Sequence, residues 1–174
     1  MKVRRAGVED AAAIARIHTE SWRRHYRGMY SDRYLDGDLY ADRLVTWTER
    51  LRRDASVYFT LVAEDEDSAI GFVHLVLDAD PTWGALVDNL HVAHSAQRRG
   101  VGSVLLDGAA AIVRERRGES GMYLWVLEGN VDAQKFYVAK GGMLRDRELA
   151  APPGKDARNL NGEVKRIRVS WDRA

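Results

Sequence analysis

The stretch QRRGVGSVLL, residues 97–106, sets two arginines ahead of two glycines and then turns apolar at helical spacing. Val101, Val104, Leu105, Gly108 and Ile112 fall on one stripe, so the glycines open a helix, and ALVDNLHV (85–92) before them reads as a strand. A strand that runs into a glycine turn opening a helix gathers unpaired backbone N–H groups and the positive helix end around one small volume. That is a cradle for an anion. A Walker A loop would need Gly-Lys-Ser/Thr at its end, and a dinucleotide turn would need a third glycine where Leu105 stands, so both patterns fail. Read without further context, the turn is also compatible with a plain tight connection flanked by solvated Arg98 and Arg99.

Proton chemistry has its own candidates. Asp88 shares strand parity with Leu86, Leu90 and Val92. Unless a bulge intervenes it is a carboxylate among apolar neighbours, where desolvation raises a carboxyl pKa and suits it to general base work. Glu128, at the end of the strand MYLWVLE (122–128), is the second candidate, and either could instead pair with one of the many arginines. His91 and His94 sit three apart at a strand end without the HExxH pattern or a third ligand, so they read as surface or loop residues and no metal is expected. His74 lies inside an apolar strand, as a core histidine or a pocket wall, and His18 and His25 belong to the first helix.

The elements that must carry these residues follow from periodicity. VRRA (3–6) starts a strand, and a helix runs from about Glu9 to Tyr26 with Ile14, Ile17, Ser21 and Trp22 on one face. Gly28 interrupts, and Tyr40, Leu44, Trp47 and Leu51 mark a second helix. Segments 56–63, 70–77 and 85–92 read as an antiparallel meander. The glycine-opened helix ends in Arg114, Arg116, Arg117 and Gly118, as the helix dipole and a glycine cap favour. After the strand at 122–128, Asn130 caps a short helix with Ala133, Phe136, Tyr137 and Lys140 on one face. Strands at 143–149 and 163–171, joined by a polar loop, finish the chain. The order gives an α+β class: one domain over residues 1–174, with a mixed, twisted central sheet.

Lys+Arg 27 against Asp+Glu 26 leaves a net charge of +1, so no global field argues for a nucleic-acid or membrane partner. With no cysteine there is no thiolate nucleophile, and MKVRRAGVED lacks the apolar run of a signal peptide. A cytoplasmic protein is expected.

LHVAHSAQRRGVGSVLL resembles the acyl-CoA-binding motif of the GNAT superfamily of N-acyltransferases, with Gln97, Gly100 and Gly102 at its defining places. LWVLEGNVDAQKFYVAKGG is similar to that superfamily's following strand and helix, through Val126, Asn130, Ala133, Phe136, Tyr137 and Gly141, and ESWRRHYRGMY is similar to its first helix and loop. The resemblance implies helices on both faces of the sheet and acetyl-CoA as acyl donor. It implies a pyrophosphate held by the backbone from Arg98 through Arg99, Gly100, Val101 and Gly102 to Ser103. It also implies that strand 85–92 splays from strand 122–127, so that Leu90 and Val92 offer backbone groups to the pantetheine arm and the Val92 N–H serves as an oxyanion donor. Tyr137 is then the acid for the leaving thiolate, with a core aromatic as the alternative. Asp88, then Glu128, is the base for an amine whose pKa is near about 10.4. The acceptor site falls to Trp22, Tyr26, Tyr30 and the 150–162 loop, for a small-molecule amine or a peptide amine. A non-catalytic acyl-CoA-binding module is the alternative function, and a homodimer is common among relatives.

Overall fold

A computed structural model describes residues 1–66 and 68–174. The strands are β1 (Lys2–Arg5), β2 (Tyr58–Asp65), β3 (Ser68–Asp80), β4 (Gly84–Val92), β5 (Met122–Leu127), β6 (Met143–Leu149) and β7 (Lys165–Trp171). The helices are α1 (Ala11–His25), α2 (Asp32–Asp36), α3 (Leu39–Arg50), α4 (Val101–Arg117) and α5 (Val131–Ala139). One sheet runs in the order β1-β2-β3-β4-β5-β7-β6, antiparallel throughout except where β4 meets β5. The expected meander is β2-β3-β4.

Alternation along the strands feeds two cores. Val73, Leu75, Val87 and Leu124 pack with Val101, Leu105, Ala109 and Val113 of α4 and with Tyr137 of α5. On the opposite face Val62 and Phe72 pack with Ile14, Ala15 and Ile17 of α1 and Trp47 of α3. Helices therefore cover both faces, as the resemblance implied. A third cluster joins Trp22, Tyr30, Leu35 and Leu39 to Leu127, Ala150 and Val164, so the end of α1 is tied to the far half of the sheet.

The short helix α2 was not anticipated. Its N-cap Ser31 accepts a hydrogen bond from the Tyr34 N–H, a local device in a segment too short for periodicity to reveal. The first helix starts at Ala11 rather than Glu9, after a 3-10 turn at Val8–Asp10. In that turn the Asp10 carboxylate accepts from the Gly7 N–H at 2.8 Å and from both terminal nitrogens of Arg4 at 2.8 Å.

Candidate active site

β4 and β5 are joined only at their starts. Ala85 pairs with Met122 and Leu86 with Tyr123 in parallel register, and the Ala85 N–H donates to the Gly121 carbonyl at 3.1 Å. Beyond these pairs β4 stays with β3 as far as Val92, while β5 follows β7 to Leu127. The gap holds a cavity of about 970 Å³ walled by β4, β5, the first turns of α4 and α5, and the end of α1. The Ala93 N–H donates to Ile70 of β3 at 2.8 Å. Strand alternation then turns the N–H and C=O of Val92 and Leu90 the other way, into the gap. A bare strand edge inside a cavity is a row of unmet hydrogen-bonding groups.

The mouth of the gap is the glycine turn. Gly100 is the N-cap of α4 with φ +79°, a left-handed conformation that a side chain resists. The first intrahelical bond runs from the Val104 N–H to the Gly100 carbonyl at 3.1 Å, which leaves the N–H groups of Val101, Gly102 and Ser103 without helical partners. All three residues line the cavity with Gln97, Arg98 and Gly100. A Cβ on Gly102 would stand 3.4 Å from the Phe136 ring, so the two helices approach closely there. Gln97 Nε2 lies 3.4 Å from His25 Nε2, linking the turn to α1. Arg99 departs from expectation: it pairs with Asp65 at 2.6 Å, outside the cavity wall, because the turn points it toward the end of β2.

Tyr137 is buried, at 8% exposure, and forms part of the cavity wall. Burial pushes its phenol pKa up, so at neutral pH it keeps a proton to donate. Asn130 caps α5, its Oδ1 accepting from the Ala133 N–H at 3.3 Å, and also lines the cavity.

The carboxylates require correction. β4 bulges: His74 pairs with Asn89 and Leu75 with Val87, so Asp88 has no partner on β3. The core-facing residues of β4 are thus Ala85 and Val87 before the bulge and Leu90 and Val92 after it. Asp88 is exposed on the cavity rim, where Arg50 donates to it at 2.5 Å. The apolar burial that would have made it a base is missing. Glu128 lies outside the cavity wall and pairs with Arg147 at 3.0 Å, because it follows the last residue of β5 and turns toward β6.

The same bulge brings into the site a residue read from sequence as surface or loop. His91 is neither a surface nor a loop residue: it pairs with Phe72 and faces α1, in the cavity wall. Its Nδ1 is 2.8 Å from Ser21 Oγ, and its ring stacks on His18 at 4.6 Å. Burial, then the neighbouring His25, lowers its pKa to about 3, with Asp88 opposing. His18 accepts from the Trp47 indole N–H at 2.9 Å, and burial holds it neutral. His74 is a core residue, 2.8 Å from Thr60 Oγ1 and lowered to about 4 by burial first. His94 is exposed, and no group of three metal-ligating side chains occurs among the described residues.

At the far end of the cavity Trp22, Tyr26 and Tyr30 stand together, with ring centroids 5.0 Å apart for Tyr26 and Tyr30 and 5.3 Å for Trp22 and Tyr30. Burial raises the phenol pKa of both tyrosines, that of Tyr30 to about 12. The 150–162 loop closes on them: Tyr30 bridges to Leu160, the Ser31 N–H donates to Asn159, and the Asn161 N–H donates to Met29. Trp125 and Arg166 complete this wall without having been singled out from sequence. The guanidinium carbons of Arg166 and Arg168 each lie 4.4 Å from the Trp125 ring centroid, and Arg166 is neutralised by Glu148. Their period-2 alternation in β5 and β7 was the available signal.

Residues 15–142 match the Acetyltransferase (GNAT) family. The chain is 29% identical over 131 residues to an uncharacterised N-acetyltransferase, YuaI, of Bacillus subtilis, covering 74% of this chain and 72% of the relative. It is 24% identical over 152 residues to a spermidine N(1)-acetyltransferase of Thermoplasma acidophilum, covering 85% and 91%. The fold superposes on the crystal structure of the PaiA N-acetyltransferase of Thermoplasma acidophilum in complex with coenzyme A, with a TM-score of 0.75 over 98% of each chain at 20% identity. No helix among the described residues is long and apolar enough to cross a membrane.

Proposed function

The chain belongs to the GNAT acetyltransferase family, and on that footing we propose that it moves the acetyl group of acetyl-CoA directly to the primary amine of a small molecule. The observation that carries this reading is the gap between β4 and β5, which opens at one end on the free N–H groups of α4 and at the other on an aromatic chamber. The N–H groups of Val101, Gly102 and Ser103 suit a pyrophosphate, with Arg98 beside them. The inward backbone groups of Leu90 and Val92 suit the amides of a pantetheine arm. Acetyl-CoA supplies an acyl carbonyl activated by a thiol leaving group. In that position the Val92 N–H offsets charge developing on the carbonyl oxygen, and the protonated Tyr137 phenol provides a hydrogen for the departing sulfur. No covalent nucleophile is needed.

The small-molecule assignment draws on the chamber formed by Trp22, Tyr26, Tyr30 and Trp125, closed over by the 150–162 loop, and on the spermidine-acetylating relative. The test is calorimetric titration with acetyl-CoA, with ATP and NAD as parallel ligands, followed by thiol release with a panel of polyamines, aminoglycosides, aromatic amines and peptides. Saturable binding of acetyl-CoA alone, with thiol release driven by a small amine, is expected. Binding without release by any amine would identify a non-catalytic module, and release driven only by peptides would overturn the acceptor class.

A further inference from the structure

An alkylammonium must lose a proton before its nitrogen can attack, and with a pKa near about 10.4 only about one amine in 2,500 is neutral at pH 7. Neither carboxylate expected to help is placed to do so, since Asp88 is held by Arg50 at the rim and Glu128 lies outside the cavity. The bulge at Asp88 has a second consequence. It flips strand parity, so that His91 leaves the α4 face and joins Phe72 on the α1 face, between the cradle and the aromatic chamber.

We propose that His91 is the proton acceptor of the transfer, with Ser21 on α1 accepting its Nδ1–H so that the Nε2 lone pair faces the gap. The proposal rests on the acetyltransfer reading above. Among the described residues the imidazole has one hydrogen-bond partner, Ser21 Oγ at 2.8 Å, and the ring is in the cavity wall, so Nε2 has only the cavity to serve. The groups facing it are His18, Ser21 and His25 from α1, Phe72 from β3 and Asp88 on its own strand. His18, whose Nδ1 accepts from Trp47, is a neutral ring stacked on it, further held neutral by Arg43 and Arg50. Burial keeps the ring unprotonated at neutral pH, and the negative charge that develops on the thioester during attack is what makes it basic enough to take the proton. In the step, the amine nitrogen bonds to the thioester carbonyl carbon and the C–S bond breaks with its electron pair going to sulfur. One ammonium proton first passes to His91 Nε2 as attack begins, which frees the nitrogen lone pair, and the nitrogen sheds a second proton to solvent once it is bonded to carbon. Sulfur takes the Tyr137 hydroxyl proton. Solvent removes the proton from His91 and restores that of Tyr137, so the net products are the amide, the thiol and one released proton.

The first readout needs no turnover. Nitrogen-15 spectra of histidine-labelled protein, with the His91 ring signals assigned in the parent by through-bond correlation to its own backbone, should show His91 as the Nδ1–H tautomer, and an Nε2–H tautomer would overturn the proposal. In kinetics His91→Gln should lose on the order of 100-fold in kcat while binding acetyl-CoA within about twofold of the parent. Its kcat/KM should rise about tenfold per pH unit between about pH 6 and 8, tracking free amine, where the parent stays nearly flat. Ser21→Ala should lose about tenfold in kcat with KM little changed, the effect of one hydrogen bond, and this variant with the tautomer decides the matter if His91→Gln fails to fold. A His91→Gln protein that releases thiol within about threefold of an active parent refutes the base while leaving the function intact. A parent that binds acetyl-CoA and acetylates nothing refutes the function and the base together.

Discussion

Replacing each motif glycine by alanine separates two reasons for being glycine. At Gly100 the backbone sits at φ +79°, and an added Cβ would meet nothing within 4 Å, so the whole cost is conformational. A left-handed alanine costs about 1–2 kcal/mol. In a domain of this size that lowers Tm by roughly 2–8 °C. At Gly102 the backbone is helical, and a Cβ would lie 3.4 Å from Phe136 Cζ and 3.7 Å from Val92 Cγ2, which is ordinary contact. Alanine there also gains up to about 1 kcal/mol of helix propensity, less in a first turn, so Gly102→Ala should melt at or slightly above the parent. The two should also differ toward acetyl-CoA. Relief of strain at residue 100 rotates the peptide that presents the Val101 N–H, and losing one charge-assisted hydrogen bond worth about 1.5–3 kcal/mol weakens binding by roughly 10- to 150-fold. The methyl at residue 102 packs on Phe136 and Val92 and should change affinity by less than about threefold, a fraction of one such bond. Thermal melts followed by calorimetric titration measure both quantities. A Gly100→Ala protein that melts and binds like the parent, or a Gly102→Ala protein that loses as much as Gly100→Ala, would refute the assignment of the cradle to the Gly100 conformation.

Gly84→Ala should be more damaging, because its Cβ would fall 2.1 Å from the Gly121 carbonyl at φ +82°, at the one end where β4 and β5 are joined. About 3 kcal/mol of lost stability is expected, read as a lower urea midpoint, and an unchanged midpoint would show that the strands are not held there. Tyr137→Phe should lower kcat on the order of 100-fold with acetyl-CoA affinity within about twofold, and equal turnover would remove the phenol from the chemistry. His18, His74 and His91 all have folded pKa values below 6.5, so below that pH the unfolded chain binds protons the folded chain refuses. Stability is therefore complete above about pH 6.5 and falls as pH drops, down to about pH 4 for His74 and about pH 3 for His91, at up to about 1.4 kcal/mol per pH unit per group. Urea titrations of His74→Gln between pH 6.5 and 4 should show a slope shallower by nearly that amount, and a parallel curve would mean that His74 titrates normally. Asp10, held below its ordinary carboxyl range chiefly by the Arg4 hydrogen bonds, adds stability that is present above about pH 4 and lost in more acid solution as the carboxylate protonates. Asp10→Asn should remove that share from the acid limb of the same titration, and an unaltered limb would count against the pair.

Features that depend on neighbours in sequence are legible in the sequence itself. The glycine pair, the stripe from Val101 through Leu105 and Gly108 to Ile112, the Asn130 cap and the alternation of the meander are local patterns, and a helix or strand imposes its period on them directly, although Val104, read on the same stripe, turns out exposed. So is the cradle, since three free N–H groups follow from any helix that starts at a glycine turn. The proton chemistry is not. One unpaired residue at Asp88 reverses the facing of every side chain after it, which carries His91 to the α1 side and leaves Asp88 to Arg50. Whether the strand bulges is decided by its pairing with β3, where the pairs that flank Asp88, Leu75 with Val87 and His74 with Asn89, lie outside any local window of the sequence. The divergence of β4 from β5 is equally non-local, because β5 is drawn along β7 from the end of the chain while β4 keeps its bonds to β3. A binding gap made by two strands following different partners has no signature within either strand, and only the assembled sheet determines that it opens.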